Sequence, residues 1–176
     1  KAIEAGNDEI SQVTLALSTY YRTSLNKGET MTIAANELRN IEAYLHIQLV
    51  MHDDSFQVEK QVEEKILSCS VPKLILQPLV ENAVRYGVDK RGFRIINISA
   101  ETKEDAAVIA VTDHGSGIPD EVVRSLKAGQ GKGVGLLNVH KRLQSLYGEE
   151  GGLQITVTEN GSRVAFRIPL GKIEDL

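Results

Sequence analysis

The hydrophobic period of the chain changes near residue 53. Before that point apolar residues recur at helical spacing, which predicts one helix over 8–27 and another from about Ala34 to Met51. After it, shorter apolar runs indicate strands that alternate with helices. A length of 176 residues suits one full domain with a small appendage. We therefore expect a helical arm followed by a domain of mixed secondary structure.

The segments after residue 53 predict this second part in detail. Residues 55–68 are expected to form two short strands or a hairpin, and Pro72 to open an apolar helix over 72–86. The later elements are strands at Ile95–Ala100 and Ala106–Thr112, helices at Asp120–Lys127 and Val134–Tyr147, and a closing hairpin of Leu153–Thr158 and Arg163–Leu170. Consecutive hairpins favour an α+β layered fold over a doubly wound parallel sheet.

Composition excludes several classes of protein. The 20 Lys and Arg against 24 Asp and Glu give a net charge of −4, so we expect no nucleic-acid binding. The single cysteine, Cys69, excludes an intrachain disulfide, and its apolar surroundings predict a small buried side chain. No apolar run approaches the roughly 18 residues of a membrane helix, and no signal peptide is recognisable. We expect these residues to be soluble and cytoplasmic.

Two segments contain closely spaced glycines, which would allow the backbone to approach a ligand closely. Asp113 ends a strand ahead of Gly115 and Gly117; this is either an ordinary turn or a purine site in which the carboxylate accepts a hydrogen bond from an adenine amino group. The stretch from Gly129 to Leu136 is either a flexible loop or a mobile flap over phosphates. It is not a Walker loop, because glycine follows its lysine, nor a Rossmann turn, because no strand directly precedes it.

Three polar residues, Glu81, Asn82 and Arg85, interrupt an otherwise apolar helix. One interpretation is an exposed polar edge on a core helix. The alternative is a site in which Asn82 binds a hard cation through its amide oxygen while Arg85 faces phosphate. Arg85 is a neighbour of both other residues, because positions three and four apart share a helix face.

The order and spacing of these three segments resemble the GHKL, or Bergerat, ATPases, which include histidine kinases, gyrase-type topoisomerases, Hsp90 and MutL. Three segments closely resemble those of LytS/YesM-type sensor histidine kinases: Glu37–Gln48, Val71–Ala83 and Gly133–Leu143. The resemblance covers nearly the whole chain. The resemblance implies a two-layer α/β sandwich, in which helices cover a mixed sheet, preceded by the helical arm. It divides the chain into 1–53, part of the dimerisation and phosphoacceptor region, and 54–176, the ATP-binding catalytic domain.

The resemblance also implies site residues. Asp113 would recognise adenine above the turn formed by Gly115 and Gly117. Asn82 would bind Mg²⁺, and Glu81 would orient or deprotonate the attacking group or support Asn82. The other implied nucleotide contacts are Arg85 at a phosphate, Tyr86 near the adenine, Ile118, and the ATP-lid residues Gly131, Lys132, Gly133, Val134, Gly135 and Leu136. Pro78 stands where many relatives carry a second polar residue.

The implied function is that of the catalytic region of a two-component sensor histidine kinase. Such a region transfers the γ-phosphate of ATP to a histidine, for relay to a response regulator. Family members carry this histidine in a string resembling Pro-His-Phe-Leu-Phe-Asn, which this sequence does not contain. Its four histidines, His46, His52, His114 and His140, are expected not to accept phosphate. We therefore expect a fragment that starts just after the acceptor helix and binds ATP or ADP with Mg²⁺ but does not autophosphorylate.

The expected partners are ATP or ADP, the phosphoacceptor helix of the same protein, a response regulator, and a second copy in the full-length protein. The parent protein is expected to be anchored in a membrane, with this region on the cytoplasmic side. A second hypothesis keeps the fold without the chemistry: a nucleotide-gated interaction module whose helices dock a partner. An acceptor motif before Lys1 would favour the kinase.

Overall fold

The computed structural model describes residues 14, 15, 18, 29–52, 55–129 and 134–170. The helix predicted over 8–27 therefore lies almost entirely outside the described residues, although Thr14, Leu15 and Ser18 are helical. The described elements, in order, are β1 (Met31–Ile33), α1 (Ala34–His52), β2 (Phe56–Val62), a 3₁₀ turn (Glu64–Ile66), β3 (Ser70–Pro72), α2 (Gln77–Tyr86), β4 (Arg94–Lys103), β5 (Ala106–Asp113), α3 (Asp120–Lys127), α4 (Val134–Tyr147), a second 3₁₀ turn (Glu149–Gly151), β6 (Gln154–Thr158) and β7 (Gly161–Pro169).

Five strands form a mixed sheet in the order β2-β4-β5-β7-β6. Strand β2 runs parallel to β4, whereas the other neighbouring pairs are antiparallel. A separate two-stranded sheet pairs β1 with β3. Helices α1, α2 and α4 contribute to one hydrophobic core with the inward side chains of the large sheet. This arrangement confirms the expected α+β fold with helices on a mixed sheet.

Helix α1 belongs to that same core. Its inward face buries Ala34, Leu38, Ile41 and Leu45, and β1 immediately before it pairs with β3. The core therefore continues across the boundary expected between residues 53 and 54. Among the described helices, none combines the length and the apolar character needed to cross a membrane.

The prediction of two short strands or a hairpin over 55–68 is wrong beyond its first strand. Phe56–Val62 is one strand, parallel to β4, and a 3₁₀ turn follows it. Ile66, whose apolar side chain suggested a second strand, lies in this turn and is fully buried. Cys69, three residues later, is half-buried rather than buried, and burial raises the pKa of its thiol.

Helix α2 begins five residues later than predicted, at Gln77 instead of Pro72. Pro72 instead ends β3, where it pairs with Met31. Leu74 has a φ of +58°, a left-handed conformation that a right-handed helix does not contain. Pro78 takes the first-turn position, where a missing N–H costs no intrahelical hydrogen bond.

The elements predicted from residue 95 onwards are confirmed to within a few residues. Helices α3 and α4 and strands β4 and β5 lie where the hydrophobic pattern placed them, and β6 and β7 form the closing hairpin. Thr158 pairs with Gly161, so the two-residue turn consists of Glu159 and Asn160. Gly161 follows that turn with a φ of +131°.

Candidate nucleotide-binding site

A cavity of about 940 Å³ opens between α2, the loop that follows β5, α3 and the start of α4. Small-molecule sites have volumes of roughly 300–1,000 Å³, so this cavity suits a ligand of considerable size. It is lined by Pro78, Glu81, Asn82, Arg85, Tyr86, Ser116, Gly117, Ile118, Pro119, Glu121, Val122, Ser125, Leu126, Gly135, Leu136 and Leu137.

Helix α2 presents its polar side to this cavity. Its apolar side chains Leu79, Val80, Ala83 and Val84 are buried in the core. Glu81, Asn82 and Arg85 lie on the opposite side of the helix and line the cavity. Tyr86 lies at the end of the helix, 57% exposed, with the Arg85 guanidinium carbon 5.8 Å from its ring centre. The structure therefore brings together all four residues that the sequence assigned to this helix.

Asp113 lies behind the cavity instead of among its lining residues. Its side chain is buried, and one carboxylate oxygen accepts the N–H of Gly115 at 3.0 Å. Burial raises the pKa of Asp113 above its ordinary value of 3.8, and hydrogen bonds from the backbone of Gly115 and Ser162 oppose this rise. The result is a carboxyl group in a low-dielectric setting next to the candidate ligand site.

The space around Asp113 depends on Gly115, which the sequence interpretation assigned to the site, and on Gly87 and Gly161, which it did not. A Cβ on Gly87 would lie 2.6 Å from the Cβ of Asp113, and a Cβ on Gly161 would overlap the Asp113 carbonyl oxygen. A Cβ on Gly115 would lie 2.5 Å from the Cα of Gly87. Because real side chains do not approach so closely, larger residues here would displace Asp113 or the end of α2. The glycine directly after α2 and the Asn-Gly pair of the hairpin were the available signals.

The loop after β5 is fixed to β7 by a residue that the sequence analysis missed. The N–H of Ile118 donates to the hydroxyl of Ser162 at 2.8 Å, and Ser162 is 2% exposed. Gly117 has a φ of +80°, so the turn at this position requires glycine. Gly117 and Ile118 line the cavity, whereas Gly115 is not among its lining residues.

The lid residues are only partly described. Gly131, Lys132 and Gly133 lie outside the described residues, as does the side chain of Val134. Gly135 and Leu136, in the first turn of α4, line the cavity, and Gly135 lies next to Pro78. The first N–H groups of a helix have no intrahelical partner and carry partial positive charge, which suits an anionic group there.

A buried carboxylate on α1 holds the segment before α2. Glu37 accepts the N–H groups of Leu74, Ile75 and Leu76 at 2.7, 2.8 and 3.2 Å. Burial raises the pKa of Glu37 above its ordinary 4.5, and these hydrogen bonds and the charge of Arg142 oppose that rise. The sequence signal was an acidic residue on the apolar face of α1.

Arg142 on α4 holds the same segment from the other side. Its guanidinium donates to the carbonyl oxygens of Lys73 and Thr30 at 2.5 and 2.6 Å. The segment between β3 and α2 is therefore held by both α1 and α4, and with it the start of the helix that carries Glu81 and Asn82.

None of the four histidines is among the residues described as lining the cavity. His140 is buried, its Nδ1 accepts the N–H of Leu153 at 3.0 Å, and burial lowers its pKa below the ordinary 6.5. His114 is exposed, with Nδ1 3.3 Å from the carbonyl oxygen of Ile95. His46 and His52 are half-buried on α1.

Two family models match the chain. A model described as histidine kinase-, DNA gyrase B- and HSP90-like ATPase matches residues 71–172, and one described as histidine kinase matches residues 1–56. Sensor histidine kinase YpdA of Escherichia coli (strain K12) is 35% identical over 172 residues, which are 96% of this chain and 30% of that protein. Sensor protein LytS of Staphylococcus saprophyticus is 30% identical over 180 residues, or 98% of this chain and 30% of that protein. The chain thus spans about three-tenths of these relatives.

Histidine kinase ThkA has the same fold. Its catalytic domain matches with a TM-score of 0.64 and 22% identity over 80% of this chain and 98% of that domain. A structure of ThkA in complex with the response regulator protein TrrA matches with a TM-score of 0.57 and 18% identity over 99% of this chain and 52% of that one.

Proposed function

The chain belongs to the family of histidine kinase-, DNA gyrase B- and HSP90-like ATPases, and on that premise we propose that it is the catalytic region of a sensor histidine kinase. ATP binding follows from the family. The proposed reaction transfers the γ-phosphate of ATP to a histidine on an acceptor helix. The observation that carries this proposal is the polar side of α2, where Glu81, Asn82 and Arg85 open onto one cavity facing the first turn of α4.

We assign the adenine end of the cavity to the loop after β5. Asp113 offers a buried carboxyl group for the adenine amino group. Gly115 and Gly117 have no side chains, and a Cβ at either position would come too close to neighbouring atoms. Ile118 offers an apolar surface for the base, and Tyr86 an aromatic one. These residues suit a flat ligand that is apolar on its faces and polar at its edge.

We assign the phosphate end to α2, the lid and α4. Arg85 suits a phosphate because its guanidinium donates in a planar fork. The backbone of Gly131, Gly133, Val134, Gly135 and Leu136 and the ammonium of Lys132 complete this assignment. Support comes from the first turn of α4, which lines the cavity next to Pro78 on α2.

The donors at the cavity fit Mg²⁺ with Asn82 as its protein ligand. No cluster of three or more His, Cys, Asp or Glu side chains suited to a metal occurs among the described residues. Mg²⁺ does not need such a cluster, since it keeps several waters and binds through few protein oxygens together with substrate phosphates. When bound, the ion neutralises phosphate charge.

In the proposed reaction the acceptor imidazole nitrogen forms a bond to the γ-phosphorus while the bond to the β–γ bridging oxygen breaks, and ADP leaves. Glu81 lines the cavity next to Asn82 and orients or deprotonates the attacking imidazole. Phosphoryl transfer depends mainly on positioning and charge stabilisation. The roles of Asn82 and Arg85 are therefore to hold the triphosphate in line with the attacking nitrogen.

The wider assignment concerns the whole protein. We propose that residues 1–53 belong to the dimerisation region, that a second copy pairs there in the full-length protein, and that a response regulator receives the phosphate. The histidine kinase model over residues 1–56 and the ThkA complex with its response regulator support this. Helix α1 then serves both regions, since its inward face is part of the catalytic core.

The test is transfer of label from γ-labelled ATP to a separate peptide carrying a Pro-His-Phe-Leu-Phe-Asn string. With Mg²⁺ present, the chain should label the peptide and Asn82→Ala should abolish most of the labelling. Asn97→Ala is the matched control, because Asn97 lies on the sheet, bonded to Glu59, away from the cavity. Nucleotide binding without any transfer would support the nucleotide-gated interaction module instead.

A further inference from the structure

A chain of hydrogen bonds leads from the buried side of α1 to the cavity. The side-chain amide nitrogen of Asn40 donates to the side-chain oxygen of Gln77 at 3.4 Å. The side-chain nitrogen of Gln77 in turn donates to a carboxylate oxygen of Glu81 at 2.7 Å. Gln77 and Glu81 are one helical turn apart on α2, and Asn40 is 2% exposed. Three side chains from two helices thus end at a residue that lines the cavity.

The chemistry of these groups fixes the direction of the chain. An ionised carboxylate only accepts hydrogen bonds, so Gln77 must present its NH₂ group to Glu81. This turns the amide oxygen of Gln77 towards α1, and Asn40 must present its own NH₂ group to that oxygen. A carboxylate at position 40 would face the oxygen of Gln77 and compete with Glu81 for its NH₂ group.

The rest of α1 fixes the position of Asn40. Glu37 is three residues earlier on the same helix face and binds the backbone immediately before Gln77. Helix α1 therefore holds both the backbone at the start of α2 and the first side chain of that helix. Because two independent contacts join them, α1 and the first turn of α2 are expected to move as one unit.

We propose that Gln77, oriented by Asn40 of α1, is a positioning residue that holds the Glu81 carboxylate towards the cavity. This inference rests on the proposed function, since the orientation of Glu81 matters only if phosphate is transferred there. It assigns α1 a part in the reaction although α1 does not line the cavity. A displacement of α1 would therefore change the position of the Glu81 carboxylate through Gln77.

The first experiment compares two variants with one control in the transfer assay. Gln77→Met keeps the volume of the side chain and removes the donor, whereas Asn40→Asp keeps the shape and reverses the polarity. Gln77→Met should lower the transfer rate roughly tenfold or more, as expected for a lost hydrogen bond to a charged group. Asn40→Asp should also lower this rate, and neither variant should change the Kd for ADP. Asn36→Asp is the matched control, since Asn36 lies on α1 but forms its hydrogen bonds with Thr32 and Arg39 instead of Gln77.

The second experiment asks whether Gln77 acts through Glu81. Glu81→Gln is combined with Gln77→Met, and the rates of the four proteins form a double-mutant cycle. If Gln77 acts through Glu81, Gln77→Met has no further effect in the Glu81→Gln background. A full tenfold effect in that background, or a matching loss of ADP affinity, would show a merely structural role and overturn the proposal.

A third measurement does not depend on activity. The side-chain amide signals of Gln77 in a ¹⁵N–¹H spectrum should shift in Asn40→Asp and in Glu81→Gln but not in Asn36→Asp. Unchanged signals in both of the first two variants overturn the relay, whatever the activity. If the wild-type chain labels no acceptor but the signals shift in both variants, the proposed function is contradicted, whereas the positioning of Glu81 by Gln77 is supported.

Discussion

The carboxylate of Glu37 accepts the N–H of Leu74 at 2.7 Å, and Leu74 has a φ of +58°. A left-handed conformation costs a residue with a side chain about 1–3 kcal/mol unless its surroundings favour it. Here it directs the N–H groups of Leu74 to Leu76 at one carboxylate, in the manner of an anion-binding nest. An acidic residue of the chain itself thus stabilises the turn that starts α2.

Removing this carboxylate should destabilise the fold. Glu37→Ala leaves three backbone N–H groups without their acceptor in a buried setting, which should lower the free energy of unfolding by about 3 kcal/mol or more. Urea denaturation measures the change. Glu42→Ala is the control on the same helix, because its ion pair with Lys60 is exposed and contributes little. Equal effects of the two substitutions would contradict the role of Glu37.

The same residue should make stability depend on pH. The pKa of Glu37 is raised above 4.5 by burial, so the folded chain binds this proton more tightly than the unfolded chain. The resulting stabilisation is complete below pH 4.5 and is lost as the pH rises through the folded-state pKa. Relative to Glu37→Gln, the wild-type chain should therefore lose stability over that interval. A stability difference that stays constant with pH would contradict this expectation.

Asp113→Asn should weaken nucleotide binding. Replacing one partner of a buried polar contact costs about 1–3 kcal/mol, which corresponds to a roughly 5- to 150-fold higher Kd for ADP. Titration calorimetry measures the affinity. Asp105→Asn, in the exposed turn between β4 and β5, is the control and should leave the affinity unchanged. Equal ADP affinity in wild type and Asp113→Asn would remove Asp113 from the site.

Asn82→Ala should distinguish a metal ligand from a residue that shapes α2. If the Asn82 amide oxygen binds Mg²⁺, the substitution lowers ATP affinity much more with Mg²⁺ than without it. The measurement is calorimetry with ATP in the presence and in the absence of Mg²⁺. An equal loss in both conditions would mean that Asn82 supports the helix and does not bind the ion.

The sequence correctly predicted those helices and strands that are specified by residues within or next to them. The hydrophobic period of α4 and the Asn-Gly pair at the start of β7 lie within the elements that they specify. The start of α2 was wrong because the Pro72 signal is also satisfied at the end of β3, and the deciding contact comes from Glu37, 37 residues before Leu74. The second strand expected within 55–68 was wrong for the same reason, since the partner of β2 is β4, which follows α2 in the chain.

The same distinction between local signals and contacts of distant residues applies to the candidate site. Glu81, Asn82 and Arg85 were recognisable as polar interruptions of an apolar helix, and the cavity brings them together. Asn40 and Gln77 gave no such signal, because each is an ordinary polar residue until its partner 37 positions away is known. Ser162 was missed likewise, since its hydroxyl binds a loop 44 residues earlier in the chain.

The measurement that tests the central claim most directly is the location of the phosphate after incubation with γ-labelled ATP and Mg²⁺. The account predicts acid-labile label on the histidine of an added acceptor peptide. Transfer should be slow, because holding reactants together accounts for roughly 7–11 kcal/mol of such a barrier and is lost between separate molecules. The chain alone should carry no label. Robust labelling of His46, His52, His114 or His140 in the chain alone would contradict the account.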